Sequence, residues 1–207
     1  MQRLDAVMEI RKRWTLNVIV TFWLMLSGMA LLSYYLRYAD EPVRSDVIVL
    51  FVGDDWMARQ KEAAKLLTDG YARCLIIPAF NRLTYLDSNG IMFPIEYNYL
   101  PGNSVYLLRK NHNYPTYYEN THFELLEARR IMEKLGFKSA LIVSSPYHMR
   151  RIKIIAETVF KDVPKTIAYI PTSFEKHHCN IIGAISCNME WIFGEIIKIM
   201  WFLTYKH

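Results

Sequence analysis

The segment from Trp14 to Leu36 contains no charged residue, and it constrains the chain more than any other feature. About 20 apolar residues are enough for a helix to cross the hydrocarbon layer of a bilayer. Trp14 lies at one end and Tyr34 and Tyr35 at the other, where interfacial aromatic residues belong. A cleaved signal peptide would have an apolar region of only about 7–15 residues and a small-residue cleavage motif. The sequence therefore predicts a retained transmembrane anchor at 14–36.

Basic residues around this span predict its orientation. Arg3, Arg11, Lys12 and Arg13 precede the span, and fewer basic residues follow it closely. Because cytoplasmic flanks carry the excess of Lys and Arg, residues 1–13 are predicted to be cytoplasmic and the rest of the chain extracytoplasmic. The net charge of +5 is otherwise thinly spread, without a basic stripe interleaved with aromatic residues. Nucleic acid is therefore not a predicted partner.

The three cysteines bear on the compartment and on metal binding. Cys74 lies in an apolar run and is predicted to be a buried thiol. Cys179 and Cys187 have two interpretations: a disulfide, which would persist outside the cytoplasm, or two free core thiols. The sequence contains no Cys-x-x-Cys, so a thiolate zinc site is not expected, and we predict no metal.

The rest of the chain alternates strand and helix patterns. The run at 45–51 has consecutive β-branched residues at its centre, which is typical of a strand buried on both faces. The alternation predicts an α/β domain over 45–207, with a Rossmann-like three-layer parallel sheet. Ligands of such sheets bind beyond the carboxyl ends of the strands, here after residues 51, 77, 108 and 143. The predicted strands are 45–51, 74–77, 104–108, 139–143 and 166–170, and the predicted helices are 56–69, 120–135 and 147–160.

The last predicted helix, Met189–Tyr205, contains too many charges to span a bilayer. Projection at 100° per residue places most of its aliphatic residues on one arc, which predicts an ordinary core face. The opposite arc is aromatic and could contact the membrane or the anchor. The predicted core face is Ile192, Phe193, Ile196, Ile197, Ile199, Met200 and Leu203, and the opposite arc holds Glu190, Trp191, Glu195, Lys198, Trp201, Phe202 and Tyr205.

The segment from Ser144 to Arg151 lies where the fourth predicted strand ends and a helix begins. Backbone N–H groups and the positive helix terminus at such a junction attract anions. His148 and Arg151 are three residues apart on one helical face, with Ser144 and Ser145 nearby. This set suits a phosphate or carboxylate with acid–base assistance. The alternative is a capping serine, a helix-starting proline and a packed histidine, and the residue types alone favour that alternative.

The loop after the first strand offers a similar choice. Asp54 and Asp55 follow Gly53, and together they could bind a divalent cation or orient a hydroxyl, with Arg59 within reach. The alternative is a helix-capping Asp and a solvated Arg. Only one glycine follows the strand, so the dinucleotide-binding pattern Gly-x-Gly-x-x-Gly is absent and the cofactor stays unknown.

The order of these motifs resembles the YdcF-like family of bacterial proteins, which includes the SanA and ElyC envelope proteins. An Asp-containing strand at 45–50 precedes the Gly53 loop, Arg59 and a helix that stops at Gly70, as in the family. Asn120-Thr121 matches the family's helix-opening Asn-Thr, and Ser144–Arg151 matches its Thr-Ser-x-x-His-Met-x-Arg. The Glu and Ser that the family carries before Asn-Thr are not evident among Arg109–Glu119.

This resemblance implies a bacterial inner-membrane protein with a role in envelope or peptidoglycan precursor metabolism. Our first hypothesis is an anchored domain that recognises a phosphate-bearing, nucleotide-like or lipid-linked molecule, with catalysis left undecided. Arg59 and Arg151 would clamp the anion, and His148 would act as general acid or base. The remaining ligand-binding residues predicted are Gly53, Asp54, Asp55, Asn120, Thr121, Ser144 and Ser145.

The second hypothesis is a non-catalytic envelope factor that binds a protein or a glycan. Its binding surface would be two long aromatic segments, Ala79–Asn103 and Asn111–Glu119, because aromatic faces suit sugar rings. The alternative is that these loops pack on themselves. Convergence of Arg59, His148 and Arg151 on one cleft would favour the first hypothesis.

Overall fold

A computed structural model describes residues 2–53, 55–80, 82–86, 92–95, 115–163, 165–174 and 181–206. The chain divides into two compact units, Met1–Tyr35 and Leu36–His207. The first unit is formed by helix α1, Gln2–Leu36. Among the described residues, its part Arg11–Leu36 is the one helix that is long and apolar enough to cross a membrane. The predicted span at 14–36 lies within that part.

The second unit is built on a six-stranded, mostly parallel sheet with the order β4-β3-β2-β1-β5-β6. Strands β2, β1, β5 and β6 are parallel to one another, whereas β3 and β4 form an antiparallel extension beside β2. The α/β class is confirmed, and the prediction of an entirely parallel sheet is wrong at this edge. The strands are β1 Val47–Leu50, β2 Cys74–Ile77, β3 Arg82–Leu86, β4 Met92–Ile95, β5 Ser139–Ser144 and β6 Thr166–Pro171.

Strands β3 and β4 lie in the segment 79–103 that the sequence analysis treated as a loop. Pro94 stands inside β4, and a proline inside an apolar run argues against a central strand because it cannot donate a ladder hydrogen bond. β4 is the edge strand, where proline is tolerated. The strand predicted at 104–108 lies outside the described residues.

Helices lie on both faces of the sheet. On one face, Leu66 of α2 belongs to a buried cluster with Ile48 and Leu50. On the other face, Val47 and Val49 belong to a cluster that includes residues of α3, α4 and α5. Successive strand residues point to opposite faces, so β1 contributes to both cores. The helices are α2 Trp56–Thr68, α3 Asn120–Leu135, α4 Met149–Val159 and α5 Ile181–Tyr205, with a short 3-10 turn at Pro146–His148 before α4.

The connections from β1 place a topological switch point between β1 and β5. From β1 the chain continues through α2 to β2 on one side, whereas its neighbour on the other side is β5. In open α/β sheets, ligands bind outside the carboxyl ends of the strands at such a point. Asp46, at the opposite end of β1, accepts hydrogen bonds from the backbone N–H groups of Lys138 and Ser139. Its carboxylate therefore fixes β1 against β5 at the end remote from the crevice.

Helix α5 is rotated relative to the predicted core face. Ile192 and Ile199 are buried as predicted, but Glu195 and Phe202, assigned to the outer arc, are buried with them. The helix is apolar on nearly all sides, so its periodicity alone did not determine its orientation. The side chains predicted to be in the core but found exposed are Phe193, Ile197, Met200 and Leu203.

Candidate functional site

Helix α2 carries Arg59 to the carboxyl end of β1, where its guanidinium is 1 % exposed. Its Nε donates to Ser145 Oγ over 3.0 Å, and its Nη1 donates to the backbone oxygens of Phe51 and Val52 over 3.2 and 2.7 Å. The alternative of a solvated arginine is therefore wrong. Among the described residues, no hydrogen-bond acceptor meets Arg59 Nη2.

Gly53 lies directly against this guanidinium. A Cβ atom added at Gly53 would stand 2.6 Å from Arg59 Nη1 and 2.7 Å from Nη2, closer than real contacts allow. The loop after β1 thus needs a glycine because the buried arginine head occupies the space of a side chain. Gly53 itself is exposed, so the loop backbone separates Arg59 from solvent.

A chain of hydrogen bonds that includes two hydroxyl groups extends from Arg59 to the turn before α4. Ser145 is fully buried, and its Oγ also contacts Asp55 Oδ2 over 3.2 Å. The same Oδ2 accepts a hydrogen bond from the Tyr147 hydroxyl over 2.7 Å. Asp55 stands at the capping position of α2, but its side chain makes no capping hydrogen bond. Asp54, predicted with it, lies outside the described residues.

Arg151, on the first turn of α4, is at the centre of a buried ion-pair network. Its Nε donates to Glu195 Oε2 over 2.6 Å, and its Nη1 donates to Glu119 Oε1 and to Thr121 Oγ1. Its Nη2 lies 3.1 Å from Glu195 Oε1 and 3.0 Å from His148 Nδ1. Two carboxylates therefore neutralise the Arg151 charge, and the protein itself occupies its donors.

His148 lies beside this network, with Nδ1 2.9 Å from Glu195 Oε1. Burial lowers the pKa of His148 to about 4, and the neighbouring Glu195 opposes the shift. The Arg151 charge also acts to lower this pKa, but burial is the main cause. The ring is neutral at pH 7: Nδ1–H donates to Glu195, or the unprotonated Nδ1 accepts from Arg151. Neither contact uses Nε2.

Glu195 is ionised in this setting. Burial acts to raise the pKa of Glu195, but its hydrogen bond with His148 and the Arg151 charge outweigh burial and lower that pKa to about 2. The sequence analysis assigned Glu195 to an outward face. The one available signal was an acidic residue within a long apolar helix, because such a residue is rarely buried without a cationic partner.

Glu119 is the second residue that the sequence analysis missed. Its Oε2 accepts the backbone N–H groups of Thr121 and His122, so it caps α3 while Oε1 faces Arg151. The sequence analysis identifies no acidic residue of this kind before the Asn-Thr pair, although Glu119 directly precedes Asn120. Asn120 is exposed, and no hydrogen bond from its side chain reaches the network among the described residues.

Glu124, one turn into α3, is a buried carboxyl with a raised pKa. Burial is the main cause, Glu119 adds to it, and Arg59 and Arg151 oppose it, giving a pKa of about 8. Glu124 Oε2 and Ser144 Oγ, both buried, have no hydrogen-bond partner among the described residues. Glu124 therefore retains a proton at neutral pH, close enough to both arginines to feel their charge.

These contacts join most of the predicted site. Arg59 connects through Ser145 and Asp55 to Tyr147, whose ring centroid lies 4.2 Å from that of His148. The structure therefore brings Arg59 and His148 together at the carboxyl ends of β1 and β5. Both arginines, however, are buried in protein contacts rather than open at a cleft.

The described part of the second aromatic segment packs against its own domain. Tyr118 stacks on His122 with a centroid distance of 4.5 Å and on Tyr205 of α5 with a distance of 5.2 Å. The indole N–H of Trp201 donates to the Tyr117 backbone oxygen. These contacts match the alternative of loops packing on themselves, and they give the second hypothesis no support. The first aromatic segment is largely outside the described residues.

Cysteine and metal chemistry contribute little to this site. Cys74 is a buried free thiol, as predicted, and burial raises its pKa. The predicted alternatives for Cys179 and Cys187 lie outside the described residues and side chains. Within the described ranges, no group of three or more His, Cys, Asp or Glu side chains is arranged to hold a metal ion.

Comparison of the chain with family models, with curated protein sequences and with solved structures gives no match.

The titratable groups with shifted pKa values predict that the free energy of unfolding is greatest near pH 6.5. His122 and His148 have pKa values lowered from 6.5 to about 4, so their contribution is lost as the pH falls through that window. Glu124 has its pKa raised from 4.5 to about 8, so its contribution is lost as the pH rises. Two histidines outweigh one carboxyl below pH 6.5. Between pH 6.5 and 8, Glu124 is the group among the described residues whose shifted pKa changes the stability. Urea unfolding at about pH 5, 6.5 and 8 measures the loss of stability on the acidic side and on the alkaline side of this maximum.

Two variants test whether the loss of stability above pH 6.5 comes from Glu124. Glu124→Gln keeps the side-chain shape without a titrating proton and should abolish the loss of stability above pH 6.5. Glu133→Gln, at a half-exposed position, is the matched control and should leave the curve unchanged. If Glu124→Gln lost as much stability above pH 6.5 as the unaltered chain does, this carboxyl would not hold the proton.

Proposed function

We propose that the chain is a membrane-anchored bacterial envelope protein of the YdcF-like family, with a Rossmann-like three-layer domain. The apolar helix α1 and the helices on both sheet faces support this proposal. So does the place of the family-like residues, since Arg59, Thr121, Ser145, His148 and Arg151 belong to one connected network. In this proposal, residues 1–13 are cytoplasmic and the domain lies outside the inner membrane.

The domain's proposed ligand is a phosphate-bearing molecule, nucleotide-like or lipid-linked, bound at the carboxyl ends of β1 and β5. The observation that carries this proposal is the environment of Arg59. Among the described residues, its buried cation contacts two backbone oxygens and the Ser145 hydroxyl, all of them neutral acceptors, and its Nη2 has no partner there. A buried cation that no carboxylate of the described residues contacts directly would be stabilised by an anion over the Gly53 loop.

Other residues take supporting roles in this proposal. Gly53, Asp55 and Tyr147 border the crevice, and the neutral His148 is available to exchange a proton through Nε2. Arg151 does not clamp the anion as first expected. It holds Glu119 and also Glu195, which contacts His148, and is therefore a positioning residue.

Calorimetry on the full chain in detergent tests this site, with uridine diphosphate and a short polyprenyl phosphate as probes. We expect at least one probe to bind. Arg59→Met should weaken that binding roughly tenfold to a hundredfold, because the buried positive charge beneath the Gly53 loop that attracts the anion is lost. Arg73→Met, at an exposed position, is the matched control and should bind normally.

A second variant separates binding from folding. Arg59→Lys retains the cation without the planar fork and should bind with intermediate affinity. Full binding by a folded Arg59→Met protein, or no binding of either probe by the unaltered chain, would contradict the proposed site.

A further inference from the structure

Helix α5 presents an apolar stripe to solvent. We define the stripe by five large side chains that are between 38 and 64 % exposed. Positions 193, 197 and 200 follow the i, i+4, i+7 spacing of a single helical face. Soluble domains rarely expose contiguous apolar surface of this kind, and such surface marks an interaction site. The stripe consists of Phe193, Ile197, Met200, Trp201 and Leu203.

The opposite face of α5 prevents the helix from burying this stripe. Glu195 is 2 % exposed and makes two hydrogen bonds with Arg151 and a contact with His148. Phe202 is fully buried in the core on the same side. Rotating α5 to bury the stripe would expose Phe202 and break the Glu195 ion pair, so the fold itself keeps the stripe at the surface.

The chain enters this domain without a linker. Leu36 is the last residue of α1, and it is fully buried. Tyr38 packs against the same core cluster as Phe202 and Tyr205 of α5. Asp40 binds the backbone N–H of Tyr169. The chain therefore enters the domain on the sheet face that α5 covers.

We propose that the apolar stripe of α5 rests in the boundary between headgroups and acyl chains of the membrane in which α1 is anchored. This inference rests on the anchoring in the proposed function, since the buried Leu36 directly follows the apolar residues of α1 and the chain enters on the face that α5 covers. Trp201 suits the interfacial layer, and the exposed Lys198 and Lys206 can reach the headgroups. α5 would lie along the surface rather than cross the bilayer.

Photolabelling of the full chain tests this arrangement. The protein is reconstituted in phosphatidylcholine–phosphatidylglycerol vesicles that contain a phospholipid with a diazirine in its acyl chain. After irradiation, mass spectrometry locates the lipid adducts. We expect adducts in α1 and also within 190–206.

A charged variant provides the matched comparison. Ile197→Glu combined with Met200→Glu should reduce α5 adducts roughly tenfold, because carboxylates resist transfer into the apolar layer. Both positions are more than half exposed, so the melting temperature should stay close to that of the unaltered chain. Met57→Glu, on α2 and 67 % exposed, is the control and should leave the adducts unchanged.

The remaining outcomes overturn the inference in distinguishable ways. Adducts confined to α1 would uphold the anchor and remove the stripe from the membrane. Crosslinks joining α5 of two chains in place of lipid adducts would assign the stripe to a second copy. An absence of adducts in α1 as well would overturn the anchoring together with the inference.

Discussion

Replacing Gly53 with Ala should lower the free energy of unfolding by about 2–4 kcal/mol. The new methyl group would stand within 2.9 Å of three guanidinium atoms of Arg59 and force that group from its site. Its hydrogen bonds to Phe51, Val52 and Ser145 would be lost or distorted, and a buried cation would lose its acceptors. Phosphate-probe binding should be lost with them. Denaturant unfolding of the full chain in detergent measures the stability.

Gly194→Ala is the matched control for this substitution. Gly194 lies within α5, and a Cβ atom there would meet nothing within 4 Å. The change should be neutral or stabilising by up to about 1 kcal/mol, because alanine favours a helix more than glycine does. Equal stability of the two variants would show that the Arg59 head is free to move aside.

Replacing Arg151 with Met should cost about 3–5 kcal/mol, since it leaves two buried carboxylates without their cation. Glu119 and Glu195 both contact this guanidinium, and their side chains are 9 and 2 % exposed. The pKa of His148 should also rise, because the Arg151 charge contributes to lowering it. Thermal or urea unfolding measures the first effect, and NMR titration of the histidine measures the second.

Lys65→Met supplies the comparison for a surface charge. Lys65 is 54 % exposed and lies 3.9 Å from Glu62, so its loss should cost no more than about 0.5 kcal/mol. If Arg151→Met were as mild as Lys65→Met, the buried network would contribute no net stability. An unchanged His148 pKa would separate the histidine from that network.

The sequence predicts much of this fold because local signals are strong there. The apolar span, the β1 and β5 runs and the glycine stops are all found, and Gly70 and Gly136 both adopt positive φ angles after their helices. Arg59 and His148 were identified from their positions at strand ends. Their proximity follows from parallel-sheet geometry, which orders the loops whatever their contacts.

What the sequence did not predict depends on tertiary partners. Whether Arg59 is solvated or buried is decided by acceptors on other segments, such as Ser145. The orientation of α5 is decided by the pairing of Glu195 with Arg151, which lies 44 residues away in the chain. Glu119 caps α3 and also forms an ion pair with Arg151, which is likewise remote in the chain. Long-range pairings of this kind leave no periodic pattern in a single sequence.

Glu195 ties the crevice to the surface of α5 through one carboxylate. Its oxygens hold Arg151 and His148 on α4 and the preceding turn, while its backbone belongs to α5. Energetic coupling between two sites is reciprocal. A ligand that draws His148 away from Glu195 would loosen α5, and a membrane that holds α5 would equally favour one arrangement of His148. Ligand binding at the strand ends and attachment of α5 to the membrane would then depend on one shared conformational equilibrium.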